Sequence, residues 1–148
     1  MRSSIARAGR LAALVVVLAG LVAVPDAARA EGVTVETIGP ATPTETAIGQ
    51  PLAYPAGTAR IRAYRITLAP GAATSLHRHE VPIFAFVTAG TLEVDYGTRG
   101  TRRFAAGETF LEAVEWCHKG RAVGDAPAVL IAVYLEGGTL RDNVPCPE

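Results

Sequence analysis

The sequence predicts an all-β fold, an antiparallel sandwich or barrel. Three observations carry that reading. From position 59 onward, short apolar or alternating runs recur about every eight to twelve residues. Gly and Pro stand between them, 15 Gly and 10 Pro in 148 residues, and break any long helix. The length fits one domain comfortably and two only with difficulty.

The elements follow in order. Residues 1–10 carry Arg2, Arg7 and Arg10 and no acid. Residues 11–24 (LAALVVVLAGLVAV) are unbroken apolar and small, Pro25 ends the run, and Ala28-Arg29-Ala30 supplies a cleavage site before Glu31. That order predicts a cleavable signal peptide over residues 1–30 and a secreted or periplasmic protein. The alternative, a membrane anchor, is poorly served by 14 residues, where a spanning helix needs about 20. No stable anchor is therefore expected after cleavage. Removing residues 1–30 takes four Arg and one Asp, which leaves ten basic and thirteen acidic side chains. So mildly acidic a chain is not drawn to nucleic acid or anionic lipid. Apolar residues make up 49% of the chain, which excludes a disordered one.

Residues 31–58 read as an extended lead-in with one strand candidate at 33–38 (VTVETI). Residues 59–68 (ARIRAYRITL) are partly apolar in both registers, which predicts a strand covered on both faces. Pro70-Gly71 ends it in a turn. Further strands are expected at 83–87 (IFAFV) and 91–96 (TLEVDY), with a hairpin loop at 97–100, then at 102–105, 109–114, 119–123 and 129–135 (VLIAVYL). The barrel is expected over 59–137, and 138–148 is left as a C-terminal tail.

All three histidines fall in two clusters. His77-Arg78-His79 places two imidazoles at i and i+2, on one face of a strand and about 6–7 Å apart along it. Both can reach one ion, at about 2.0–2.1 Å for zinc. His118 lies 39 residues after His79 and must come from another strand. Three surface histidines remain the alternative on this spacing alone.

The surroundings carry more. Gly71, five residues, His77-x-His79, and then Gly90 resemble the first motif of the cupin superfamily. Gly107, ten residues and His118 resemble the second, and sixteen residues separate Gly90 from Gly107. The resemblance implies a jelly-roll β-sandwich with one divalent transition metal inside, held by His77, His79 and His118. Iron, manganese, zinc, nickel and copper all suit imidazole. The chain also departs from the motifs. Ile83 stands at the family's carboxylate-ligand position, Ala113 replaces the Pro, Glu115 the second Gly and Ala122 the Asn. Cupins with three histidines and no such Glu include thiol and diketone-cleaving dioxygenases. The implied function is a metal site that binds and oxidises a small organic molecule, with dioxygenase-like or isomerase-like chemistry. The alternatives are a non-catalytic binding module and a metal-free structural cupin. A homodimer is a further implication of the family.

Other residues take roles around that site. Glu112 is the candidate acid/base group or partner to a metal ligand, Glu80 is expected to face away, and Glu115 is a weaker candidate; an ordinary solvated acid is the alternative for each. Ile83, Phe110 and Trp116 are candidate pocket walls, with Phe84 and Phe86 as companions or plain core. Trp116 stands two residues before His118, so an extended segment puts both on one face. The same alternation sends Cys117 outward, and its expected partner is Cys146, since an exported chain meets oxidants. Two free thiols are the alternative. The bond is expected to tether the tail and not the site, stabilising the fold by about 3 kcal/mol.

Overall fold

The computed structural model describes residues 32–147, and the fold is that of the unit Glu36–Glu148. The signal segment expected at 1–30 lies outside the described residues. Among the described residues no helix is long and apolar enough to cross a membrane. The strands are β1 (Ala59–Leu68), β2 (His77–Arg78), β3 (Ile83–Ala89), β4 (Thr91–Asp95), β5 (Thr101–Ala105), β6 (Thr109–Leu111), β7 (Lys119–Ala122), β8 (Ala128–Gly137) and β9 (Val144–Pro145). They pair antiparallel in three sheets, β1-β8-β3-β6, β5-β4-β7 and the small pair β2-β9. The all-β antiparallel architecture is what the spacing of strand and turn signals predicts, and the jelly roll is what the resemblance implies.

The core lies between the two larger sheets. Leu68, Ala85, Val87, Phe110 and Leu130 from one meet Leu92, Val94 and Ala122 from the other. Period-two alternation explains the choice of face. In β8 Ala128, Leu130, Ala132, Tyr134 and Glu136 are buried, while Val129, Ile131, Val133 and Leu135 are half-buried on the outer face. Phe84 and Phe86 lie opposite Val133 and Ile131 and share that outer face, so they are not pocket walls.

Gly90 is required at the β3–β4 turn. It sits at φ +68°, and a Cβ there would lie 2.2 Å from the Pro127 carbonyl oxygen. Gly107 sits at φ +92° in the turn that launches β6. Both motif glycines thus have local backbone reasons.

Two elements differ from expectation. Residues 33–38 form no strand. Alternation alone cannot make one, because an isolated run has no ladder partner. β1 is not covered on both faces: it is the sheet's edge, and Ile61 is 68% exposed. Its apolar positions are interleaved with Arg60, Arg62 and Arg65, whose charged heads keep to water and blunt the free edge. Arg60 and Arg62 both bond the buried Glu136 carboxylate. Those contacts, Arg62 first, hold its pKa below the usual range.

Candidate metal centre

The backbone removes the sequence distance between the two histidine clusters. His77 N–H donates to the His118 carbonyl at 3.0 Å, and His118 N–H returns the bond to His77 at 2.8 Å. Residues exchanging both bonds lie directly opposite and present side chains on one face. His79 follows at i+2, bridged to Val114. The ring centroids lie 4.8 Å (His77–His79), 4.7 Å (His77–His118) and 5.1 Å (His79–His118) apart. One ligand atom from each of the three lies within 4.8 Å of the others.

The protonation pattern follows from the partners. His77 Nδ1 meets the Ser75 carbonyl at 2.8 Å and His118 Nδ1 the Trp116 carbonyl at 2.8 Å. His79 Nδ1 meets the Asp142 carbonyl. A carbonyl only accepts, so each Nδ1 carries a proton, and in the neutral ring the lone pair is then on Nε2. That is the ligand form, with the orienting bond that metal-binding imidazoles require. Burial pushes the His77 pKa down and that of His79 down to about 3, because charging a desolvated ring is unfavourable. The residues fit one divalent ion.

The three rings line a cavity of about 80 Å³. Its walls are largely apolar, with Leu68, Val94, Phe110 and Leu130 among them, and Thr74, Glu112 and Tyr134 supply polar groups. Burial raises the Tyr134 phenol to about 12, so it stays an O–H donor at neutral pH. Glu112 is 8% exposed. Its Oε1 accepts from the Tyr96 hydroxyl and the Ala113 N–H, both at 2.7 Å, and its Oε2 lies 3.7 Å from His118 Nε2. Burial first, then Glu112, pushes the Tyr96 phenol far above its usual range.

Ile83 and Phe110 both line this cavity. Trp116 does not. It borders an outer groove with Glu115 and Cys117, and its indole N–H donates to the Tyr96 carbonyl at 2.9 Å. Glu115 sits at φ +54°, so the segment is not extended and counting by two from His118 fails. Glu115 and Glu80 pair with Arg78 and Arg141 at the surface. A disulfide joins Cys117 to Cys146, with Cα atoms 6.1 Å apart.

The tail is a correction. Residues expected to stand apart from the site support it. β9 pairs with β2, setting His77 opposite Pro145. Cys146 N–H donates to Leu76, Glu80 N–H to Arg141, and Asp142 holds His79. Sequence reasoning also passed over Tyr134 and Tyr96. Tyr134 carried a signal: it is a polar atom in the buried register of an apolar strand.

Residues 64–134 match the family model described as a cupin domain. No curated protein matches the chain. Among solved structures, the chain is similar to the oxalate decarboxylase of Lactobacillus farciminis, at TM-score 0.50 and 20% identity over 57% of this chain and 26% of that one. It is similar to a DMSP lyase from Ruegeria pomeroyi at TM-score 0.50 and 21% identity, over 57% of this chain and 42% of that one. Another DMSP lyase structure matches at TM-score 0.51 and 15% identity, over 59% of this chain and 44% of that one. The matched stretch spans less than half of each of these chains, and the likeness is one of fold. Residues 64–134 thus match a cupin domain, and the described residues share the fold of these solved structures.

Proposed function

We propose that the protein is an exported metal-dependent cupin that binds and oxidises a small organic molecule at His77, His79 and His118. The observation that carries the reading is the arrangement of the three rings, each with Nδ1 on a backbone carbonyl and one ligand nitrogen of each within 4.8 Å of the others. A divalent ion bound there would act as a Lewis acid on an oxygen donor of the ligand. The chain's own groups do the rest. Apolar walls would exclude water, and the Tyr134 hydroxyl and the Glu112 carboxylate are the polar groups beside the ion. The cavity's about 80 Å³ suits a ligand of only a few heavy atoms. Among the described residues neither Lys nor Arg lines it, which favours a ligand with one metal-binding oxygen group and an apolar remainder over a dianion.

The test has two arms. Protein recovered from the exported fraction should begin at Glu31. Samples loaded separately with iron, manganese, zinc, nickel and copper should be screened for oxygen uptake with small hydroxy acids, thiols and diketones. Metal-dependent uptake with one of these supports the reading. Metal-dependent ligand binding without turnover for any metal would leave a binding module instead.

A further inference from the structure

We propose that Glu112 is the fourth protein ligand of this metal, its carboxylate supplied by the strand next to the one that carries Ile83, and that Tyr96 positions it. The inference rests on the three-histidine reading and adds a ligand to it. Ile83 occupies the position where the cupin motif places its acid, and it is 3% exposed inside the cavity. β3 therefore offers no carboxylate there. β6 is the antiparallel neighbour of β3, with Phe84 opposite Leu111. One step further along the same register, Glu112 N–H donates to the Ile83 carbonyl at 2.9 Å. Glu112 thus stands directly across from Ile83, and cross-strand partners present their side chains on the same face, with Cβ atoms about 4.5–5.5 Å apart. The acid has moved sideways by one strand while staying at the same level of the barrel.

The carboxylate is held as a ligand would be. Oε1 is engaged by the Tyr96 hydroxyl and the Ala113 N–H, both at 2.7 Å. Among the described residues no donor reaches Oε2, which lies 3.7 Å from His118 Nε2. The carboxylate oxygen and the ring nitrogen are thereby brought side by side in a buried space. Among the described residues, no Lys or Arg pairs with Glu112. A buried carboxylate is unfavourable unless a cation compensates it. A divalent ion held by His77, His79 and His118 would supply that charge, with Glu112 as its fourth ligand. Tyr96 acts through Glu112: its hydroxyl fixes Oε1 and leaves Oε2 aimed inward.

The test uses the metal alone, with Co(II) as the probe on the full exported chain. Glu112→Gln keeps the acceptor for Tyr96 and should fold. It should bind Co(II) about tenfold or more weakly, with an altered visible spectrum, and its metal-free form should melt no lower than the wild type. Tyr96→Phe should weaken binding by less and keep the wild-type spectrum. The exchange Ile83→Glu/Glu112→Ile should recover affinity that Glu112→Ile loses. Unchanged affinity and spectrum in Glu112→Gln, with binding abolished in His118→Ala, would overturn the fourth ligand and leave the three histidines standing. Unchanged binding in His118→Ala would remove the three-histidine site itself.

Discussion

The Asp142 carbonyl accepts the Nδ1–H of His79 across 63 residues of sequence. This contact makes the C-terminal tail part of the metal centre. A tail held by the Cys117–Cys146 bond fixes that carbonyl, and the carbonyl fixes the ring. The cysteine that borders His118 and the strand that borders His77 are thus joined in one clamp.

Loss of the disulfide should therefore reach the metal. Cys146→Ala should weaken metal binding by about tenfold, the lower range for removing a ligand's supporting partner. It should also cost about 3 kcal/mol of folding stability in the chain-entropy view. Truncation after Arg141 should weaken binding more, because the carbonyl goes with it. Metal titrations of these variants and of the reduced wild type check this. Equal affinity in all of them would return the tail to the role of a tether.

The pH dependence of the metal-free protein follows from His77 and His79. Their folded pKa values lie below the unfolded value of about 6.5. Between those values the unfolded chain binds more protons, so stability falls as pH drops below about 6.5. For His79 the loss continues toward about 3, at up to about 1.4 kcal/mol per pH unit. The lowered carboxylates Glu80, Glu93 and Glu136 add their share only near and below about 4.5. Thermal melts from pH 7 to pH 5 thus read the histidines. His79→Gln should flatten the slope, and an unchanged slope would mean the ring is not buried neutral.

Ile83→Glu sets a second acid beside Glu112 within the same cavity. In the metal-free protein two neighbouring buried carboxylates should lower the melting temperature by several degrees. With metal, affinity should rise. If neither quantity moves, Ile83 does not face the site.

How much of this was legible in the sequence depended on whether a signal was local. The strands announced themselves through Gly and Pro punctuation and period-two runs such as residues 129–135, and His77 and His79 through their spacing. Counting by two failed between Glu112 and His118 because Glu115 takes a positive φ, and that displaced Trp116 from the pocket. The partnership of Ile83 with Glu112 depends on strand register, and that of His79 with Asp142 on where the tail folds back. Neither leaves a mark in composition or periodicity. β1 misled because its apolar residues suggested cover on both faces, whereas an edge position leaves Ile61 in water.

The central claim is that His77, His79 and His118 hold one metal ion. Elemental analysis of protein purified from the exported fraction, alongside single His77→Ala, His79→Ala and His118→Ala variants shown by circular dichroism to be folded, tests it most directly. The account predicts one transition-metal ion per wild-type chain and substoichiometric metal in each variant. Folded variants that retain one ion per chain, or a wild type that stays empty when refolded with each of the five candidate metals, would contradict it.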